Sequence, residues 1–310
     1  MPRNASVAQQ NVVVDGANLA YRTYHAMKLI PNPLSDADGN PTGLIFGFLR
    51  SLSALKKRFE KHAFYVVWEG SRKRRSSRYS EYKANRTKTD IHSDGQLDVV
   101  RMLLSKLGVF QAHNVEEEAD DVIASLVRGP LKGQHNIVFS TDHDFLQLVT
   151  YTDHLLVPKV GNRAELLYDP DRVVAEYGVS PDRIVHLRAL LGDTSDNLPG
   201  VPSVPAKKLT SLLRVHQTID GIFLSSMAGI TASQYEKLRA SEGRVRLNLE
   251  LMALQEVPYD LTPPAVNSDE AKLKLASRGI QPDSIIDSFL PEDTSRGFSK
   301  VSAEGHQTAL

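Results

Sequence analysis

Short apolar runs alternate with longer amphipathic stretches along the first half of the chain. The runs are rich in β-branched and aromatic side chains, which is typical of buried strands, and they occur at 11–15, 63–68, 109–112 and 136–140. Apolar side chains at helical spacing predict helices at 18–29, 43–59, 95–107 and 119–128. Strands that alternate with helices in this way predict an α/β fold with a parallel sheet.

The strand pattern fades after about residue 170. Helices are predicted at 170–177, 181–191, 205–213, 216–224, 232–240, 243–254, 268–277 and 282–289. Two extended pieces at 155–160 and 165–169 predict an edge hairpin, and the Pro-rich stretch 257–264 is expected to return to the main sheet. We therefore expect a core at 11–169, a helical segment at 170–290 and a disordered tail at 291–310.

Carboxylates follow several of the predicted strands at the point where each strand ends. Asp15 and Glu69 close the first two strands, and the pair Asp142 and Asp144 follows the fourth. Ligands of open parallel sheets bind at the carboxyl ends of the strands, so we expect these acids to converge. A single acid at such a position is more often a turn residue or a helix cap, so the prediction depends on the whole group.

Two further acidic groups lie outside the strand ends. Glu118, Asp120 and Asp121 open a predicted helix, where they could also complement the helix dipole, and Asp193 and Asp196 form a later cluster. Clustered carboxylates repel one another at low dielectric and therefore need cations. All-oxygen ligation suits Mg²⁺ or Mn²⁺, and two such ions suit the displacement of a phosphodiester.

Composition narrows the classes of partner. Lys+Arg and Asp+Glu are both 37, so the net charge is zero and a uniformly basic protein that coats nucleic acid is excluded. Basic charge is instead concentrated in one stripe, opposed only by Glu81: Arg72, Lys73, Arg74, Arg75, Arg78, Lys83, Arg86 and Lys88. Cysteine is absent, which excludes disulfides and thiolate metal sites. The chain has no apolar run of membrane length and its start lacks the apolar region of a signal peptide, so we expect a cytoplasmic protein with no membrane association.

Five segments together resemble the 5′-nuclease family, which includes the 5′→3′ exonuclease domain of bacterial DNA polymerase I, stand-alone phage 5′-exonucleases and flap endonucleases. They are VVVDGANLAYRTYHAM at 12–27, YVVWEGSRKRRSSRYSEYKANR at 65–86, EEADDVIASL at 117–126, FSTDHDFLQLV at 139–149 and LLGDTSDNLPGVPSVPAKK at 190–208. The resemblance covers roughly residues 11–290. It implies a three-layer PIN-like or Rossmann-like parallel sheet, a basic helical arch at 70–92 and a helix–hairpin–helix at 192–213.

The resemblance also implies an activity, namely metal-dependent hydrolysis of DNA from, or near, a free 5′ end. Its substrates would be flaps or duplex–single-strand junctions, and the enzyme would be a monomer that stands alone like the phage members. Two Mg²⁺ ions, replaceable by Mn²⁺, would act together: water on one ion attacks in line, and the other ion stabilises the leaving 3′ oxygen. Two alternatives stay open, a non-catalytic protein that binds flaps or junctions and a metal-dependent phosphatase that uses Asp142 and Asp144.

Individual roles follow from the same resemblance. One metal site would be formed by Asp15, Glu69, Glu118 and Asp120. The second would be formed or supported by Asp121, Asp142, Asp144, Asp193 and Asp196. Arg75, Tyr82 and Lys83 match arch positions that grip the 5′ end, with Arg75 and Lys83 offsetting charge on the phosphate and Tyr82 stacking on a base. Arg22 matches an arginine near the same phosphate, and Lys207 and Lys208 would contact the duplex backbone. The remaining basic residues of the stripe would bind DNA as well: Arg72, Lys73, Arg74, Arg78, Arg86 and Lys88.

The chain departs from the family pattern at two places. The family has Asp where this chain has Glu69, so we expect a shifted metal position and a stronger preference for Mn²⁺. In the hairpin loop, Ser203 and Pro205 replace two glycines, and Pro205 has no N–H to offer a phosphate. These replacements argue against the potassium ion that the resemblance implies for this loop.

Overall fold

The computed structural model describes residues 10–86, 91, 94–159, 164–225 and 229–289. The strands are β1 Gln10–Asp15, β2 Ala63–Trp68, β3 Phe110–His113, β4 His135–Phe139, β5 His154–Val157, β6 Leu166–Tyr168, β7 Gly192–Asp193, β8 Leu198–Pro199 and β9 Asp260–Thr262. The helices are α1 Gly16–Lys28, α2 Gly43–Arg58, α3 Lys73–Arg78, α4 Gln96–Lys106, α5 Ala119–Arg128, α6 Pro170–Tyr177, α7 Ile184–Leu191, α8 Ala206–His216, α9 Ile219–Leu224, α10 Ala232–Ala240, α11 Glu242–Met252, α12 Ser268–Ser277 and α13 Asp283–Ile286, with 3₁₀ turns at His143–Leu148 and Pro181–Arg183. The strands and helices predicted within these ranges are confirmed to within a few residues at their ends.

Seven strands form one sheet in the order β6-β5-β4-β1-β2-β3-β9. Strands β1 to β5 are parallel, and β6 and β9 are antiparallel strands at the two edges. The predicted edge hairpin is confirmed as β5–β6, and the predicted return of the Pro-rich stretch is confirmed because Thr262 pairs with Gln111 of β3. The strand order reverses between β1 and β4, because β2 and β3 follow on one side of β1 and β4 and β5 on the other. Open α/β sheets place their ligand sites at such a switch point.

Both faces of the sheet are covered. Val12 and Val14 of β1 face one apolar core together with α2 and α4, whereas Val13 faces a second core together with α5 and α7. This alternation follows from the two-residue repeat of a strand, and a strand buried on both faces reads as a continuous apolar run. The expected three-layer α/β architecture is confirmed.

The later helices divide between the two cores. Helix α7 packs against α8 and α11 in the core that contains α5. Helices α12 and α13 instead pack against α4 and α2, where Ala271 and Leu275 are buried. The segment predicted as one helical unit at 170–290 therefore returns to the α/β body at β9.

The predicted arch is described only in part. Helix α3 and the turns up to residue 86 are described, whereas Lys88 and most of 87–93 lie outside the described residues, as does the predicted tail at 291–310. None of the helices in the described ranges has the length and apolar surface that a membrane crossing needs.

Candidate metal centre and nucleic-acid interface

The carboxyl ends of β1 and β4 lie side by side at the switch point of the sheet, where the strand order reverses. Asp15 ends β1 and caps α1, since its Oδ1 accepts the Asn18 amide at 2.9 Å. Its Oδ2 accepts the Ser140 hydroxyl at 2.8 Å, and the same hydroxyl accepts the Asp142 amide at 3.0 Å. One buried serine thus links two acids from neighbouring strands. Sequence reasoning missed Ser140, although its place between a strand and Asp142 is a usable signal.

Four acids lie near enough here for their charges to act on one another, and we call Asp15, Glu69, Asp120 and Asp142 the strand-end cluster. Burial raises the pKa of Asp15 to about 7, and the charges of Asp142 and Glu69 add to the rise against the hydrogen bonds from Asn18 and Ser140. Burial and the charges of Asp142, Asp15 and Glu69 also raise the pKa of half-buried Asp120 well above its usual range, although Lys83 opposes this. Asp15 and Asp120 are therefore held where a negative charge is unfavourable.

Glu69 lies at the open side of the strand-end cluster. The protein packed around it and the charge of Glu118 raise its pKa, although much of the side chain stays exposed. Its Oε2 accepts the Ala119 amide at 3.2 Å, at the start of α5. The longer side chain at this position thus reaches across to the helix that carries Asp120.

The donor chemistry of the strand-end cluster suits a hard divalent cation. All its side-chain donors are carboxylate oxygens, and a bound cation would offset their mutual repulsion. No ion pair within 4.0 Å involves these four acids in the described ranges, although Lys83 acts on Asp120 and Glu69 from a greater distance. Among the described residues, however, no three acids or histidines lie close enough together to hold one ion as the side chains stand. The residues fit the ion in charge and chemistry, and their carboxylates would have to rotate to close on it.

Two predicted ligands instead anchor the basic segment, and we call Glu118 and Asp121, with the basic residues that they bind, the arch anchor. Arg75 Nη1 lies 2.7 Å from Glu118 Oε2 and 2.6 Å from Asp121 Oδ2. Arg74 Nη2 also binds Asp121 at 2.6 Å, and the Gln255 amide donates to Asp121 Oδ1 at 2.8 Å. Both oxygens of the fully buried Asp121 are therefore engaged by the protein, which argues against the predicted role of Asp121 in a metal site.

Arg75 and Lys83, the two residues predicted to offset charge on the phosphate, belong to the arch anchor. Arg75 is only 4% exposed and also donates to the Leu251 carbonyl at 2.7 Å. Lys83 Nζ lies 2.6 Å from Glu118 Oε1, and although burial disfavours its charge, Glu118 and the neighbouring acids raise the pKa of Lys83 well above its usual value. All three side-chain nitrogens of Arg75 are bound inside the protein in this structure, so the predicted contact with a phosphate would require these bonds to break.

Tyr82 is also buried. Its side chain is 6% exposed within the apolar core, and its hydroxyl lies 3.4 Å from both oxygens of Glu118. An enclosed ring has no face to offer an unpaired base, so the predicted stacking would require Tyr82 to leave the apolar core. The alternation of aromatic and basic residues could not distinguish an exposed ring from one packed beneath its own segment.

The remaining predicted ligands, Asp144, Asp193 and Asp196, form what we call the paired cluster. Arg188 of α7 lies 2.7 Å from Asp144 and 2.5 Å from Asp193, and Arg86 lies 2.5 Å from Asp196. Burial raises the pKa of Asp144 to about 7, with Asp142 adding to the rise and Arg188 opposing it. Sequence reasoning missed Arg188, which precedes Asp193 by five residues across a helix end.

Several predicted DNA contacts are exposed. Arg72, Lys73, Lys207 and Lys208 all present exposed side chains, the last two in the first turn of α8. Arg78 and Arg86 are exposed too, but each is paired with an acid, Glu250 and Asp196 respectively; Arg74, half-buried, is paired with Asp121.

Arg22 of α1 lies beside the strand-end cluster. Burial lowers its pKa against the attraction of Asp15. Its Nη2 reaches the Lys159 carbonyl at 3.4 Å, and its buried Nη1 has no hydrogen-bond partner among the described residues. Arg22 thus keeps donor capacity for a phosphate beside Asp15.

The segment 192–213, predicted as a helix–hairpin–helix, contains the short β7–β8 hairpin and most of α8, and α7 precedes it. Gly192 and Gly200 pack backbone to backbone, and a Cβ at Gly192 would lie 2.2 Å from the Gly200 nitrogen. Ser203 adopts a left-handed conformation with φ 58°, which glycine adopts more easily. The loop thus keeps a glycine-like bend at one of the two positions where it departs from the family pattern.

Two family models match the chain. Residues 10–178 match the 5′-3′ exonuclease N-terminal resolvase-like domain, and residues 179–274 match the 5′-3′ exonuclease C-terminal SAM fold. DNA polymerase I of Bacillus subtilis (strain 168) is 30% identical over 255 residues, which are 81% of this chain and 28% of that protein. The chain thus spans less than a third of the length of the polymerases that it matches.

Solved structures support the same fold. The D15 protein of bacteriophage T5, co-crystallised with metal ions, has a TM-score of 0.61 at 22% identity, covering 91% of this chain and 97% of that one. Flap endonuclease-1 from Methanococcus jannaschii has a TM-score of 0.59 at 15% identity, covering 91% and 92%. The resemblance identified from the sequence motifs is confirmed by the family models: the chain belongs to the 5′-3′ exonuclease family.

Proposed function

We propose that this chain is a divalent-metal-dependent nuclease that hydrolyses DNA phosphodiester bonds at or near a free 5′ end, as a 5′→3′ exonuclease and flap endonuclease. The observation that carries the proposal is the strand-end cluster: four acids without ion-pair partners in the described structure, at the switch point of the sheet, in a chain of this family. A site of this kind accounts for buried acids whose charged forms are unfavourable on their own.

The strand-end cluster would hold the metal. Asp15 and Asp142 approach from neighbouring strands, Asp120 from the start of α5 and Glu69 from the end of β2. A bound Mg²⁺ or Mn²⁺ would supply Lewis acidity toward phosphate and water. Ser140 holds Asp15 and Asp142 in register, and the Ala119 amide holds Glu69.

Basic side chains around the cluster would position the DNA. Arg22 lies beside Asp15 with an unpartnered nitrogen, so it is placed to bind a phosphate next to the metal. Lys207 and Lys208, at the first turn of α8, would contact the duplex backbone, where contacts set position rather than sequence preference. Lys83 and Arg75 would act from beneath, by fixing Glu118 and the basic segment rather than by touching the phosphate.

A cleavage gel tests the proposal. A duplex with a 5′-labelled flap, a blunt duplex and a single strand are incubated with the chain in Mg²⁺ or in EDTA, and Asp120→Asn controls for contaminating nucleases. We expect metal-dependent cutting at the flap base or release of short products from the 5′ end, and none with Asp120→Asn. Binding without cutting would instead support the non-catalytic alternative. Release of phosphate from p-nitrophenyl phosphate without cutting of DNA would support the phosphatase.

The duplex contact has its own test. Lys207→Ala and Lys208→Ala should weaken binding equally for unrelated sequences, because phosphate contacts carry no sequence information. Each lost contact should reduce the slope of log affinity against log salt by about 0.9. Lys274→Ala, on α12, serves as a control of equal charge. An unchanged slope, or an effect that depends on sequence, would contradict the duplex contact.

A further inference from the structure

Arg188 lies between two acids of the paired cluster. It projects from α7, with Nε 2.7 Å from Asp144 Oδ1 and Nη2 2.5 Å from Asp193 Oδ2. Asp142 and Asp196 also lie near enough to attract it. The guanidinium is thus a cation enclosed by carboxylates, in the position that the sequence analysis assigned to a metal ion.

Both oxygens of Asp193 are already engaged. Asp193 Oδ1 accepts the Ser195 amide and hydroxyl, both at 2.7 Å, and the Asp196 amide at 3.2 Å. Only Oδ2 of Asp193 remains, and Arg188 binds it. An incoming ion would therefore have to share Asp193 and Asp144 with the guanidinium or displace it.

The strand-end cluster offers no such competitor in the described structure. No basic nitrogen lies within 4.0 Å of a carboxylate oxygen of its four acids in the described ranges, whereas Asp144 and Asp193 share a guanidinium that bridges them. Two unit charges about 4 Å apart interact by several kcal/mol at a partly buried site, so this difference must affect cation binding. Because Arg188 stays protonated at any working pH, its effect does not switch off.

We propose that Arg188 is a built-in counter-cation that competes with a divalent ion for Asp144 and Asp193, so that a second ion binds this chain much more weakly than the first. The inference rests on the metal site of the proposed function. It makes Arg188 a residue that sets metal affinity rather than one that touches DNA.

Direct titration with Mn²⁺ tests this inference without DNA and without activity. The full chain is titrated, free Mn²⁺ is counted by electron paramagnetic resonance, and folding is checked by circular dichroism. We expect one tighter and one weaker site in the wild type, with constants at least about tenfold apart. Arg188→Gln should tighten the weaker site by at least about tenfold and leave the tighter one unchanged.

Two further variants keep the test decisive. Arg188→Lys keeps the charge but loses the two-pronged contact, so it should shift the weaker constant in the same direction by a smaller factor, even if Arg188→Gln fails to fold. Arg246→Gln removes an arginine that is paired with Asp220 and Glu242, outside both clusters, and should change neither constant.

Three results would overturn the inference: two equal sites in the wild type, an unchanged weaker site in the Arg188 variants, or loss of the weaker site in them. Loss would mean that Arg188 holds the acids in place for the ion. Failure of the proposed function looks different, since DNA would then remain uncut in Mg²⁺ whatever the stoichiometry of Mn²⁺.

Discussion

The strand-end cluster and the arch anchor both contain acidic residues, but the electrostatic environment of these acids differs. In the former, the described acids have no ion-pair partner and the pKa of Asp15 is raised by burial and by neighbouring acids. In the latter, Lys83 and Arg75 outweigh the effect of burial and hold the pKa of Glu118 below its usual range. Acids of the first kind retain capacity for a cation, whereas acids of the second kind already join parts of the fold.

The sequence alone does not separate acids that can bind a cation from acids that stabilise the fold, whereas their surroundings in the structure do. Loss of an acid from the strand-end cluster should reduce chemistry and leave the fold intact. Loss of a charge from the arch anchor should reduce stability, because it leaves an opposite charge buried without a partner. The predictions below use this contrast.

The largest effect is expected from Asp15→Asn. Asparagine is as good a helix cap as aspartate, so α1 should be preserved while one anionic ligand is lost. A metal ion contributes several kcal/mol to such chemistry, so cleavage should fall by about a thousandfold at limiting Mg²⁺.

Asp15→Asn should lower cleavage without lowering the stability of the fold. Removal of one of four like charges relieves repulsion, so the free energy of unfolding in EDTA should be unchanged or higher by about 1 kcal/mol. Urea denaturation measures it. A loss of 2 kcal/mol or more would show that Asp15 serves mainly the fold and would remove the contrast between the two regions.

Arg75→Ala should give the reverse pattern. It leaves Asp121 and Glu118 buried beside fewer cations, at a cost of about 3 kcal/mol in the free energy of unfolding. Arg78 lies in the same helix as Arg75, but it is exposed and paired with Glu250 of α11. Arg78→Ala is therefore the matched control and should cost less than 1 kcal/mol. Equal costs for the two variants would contradict the idea that the anchor is a buried network.

The fold could be predicted because its signals are local. The apolar run Val12–Val14 and the later apolar runs along the first half of the chain mark buried strands. Gly, Pro and polar clusters separate these runs. The convergence of Asp15 and Asp142 follows from the parallel sheet, since both follow strand ends at the switch point. Family resemblance then added the activity, which the residues alone left open between a nuclease, a binding protein and a phosphatase.

The partners of the charges could not be predicted. Whether Arg75 points to solvent or to Asp121 depends on how α3 packs on α5 and α11, and residues 46 and 176 positions apart meet there. The burial of Tyr82 depends on the same packing. A stripe of basic residues reports charge along the chain, whereas pairing is a property of the folded surface.

Ser140→Ala tests the link between the two strand ends. Its hydroxyl donates to Asp15 and accepts from the Asp142 amide, so its loss frees both acids to move. Groups that orient metal ligands commonly affect metal affinity 10- to 100-fold, and we expect about a tenfold weaker tight site for Mn²⁺. Ser140→Thr keeps the hydroxyl and should bind Mn²⁺ more tightly than Ser140→Ala. Equal affinities for the wild type and Ser140→Ala would show that the sheet alone positions the two acids.

The smallest effect is expected at Glu69, the exposed member of the strand-end cluster. Its carboxylate reaches the Ala119 amide at 3.2 Å, which a side chain shorter by one methylene would not reach without movement of the backbone. Mg²⁺ requires near-octahedral geometry at about 2.0–2.1 Å, whereas larger ions tolerate looser arrangements. Glu69→Asp should therefore change the ratio of Mn²⁺- to Mg²⁺-supported cleavage by a few-fold, more than it changes the maximal rate.

Glu69→Gln keeps the length but not the charge, and it should lower cleavage with both metals. Rates measured against the concentration of each metal separate the two effects, and a Glu69→Gln variant with wild-type rates would show that only Asp15, Asp120 and Asp142 hold the ion.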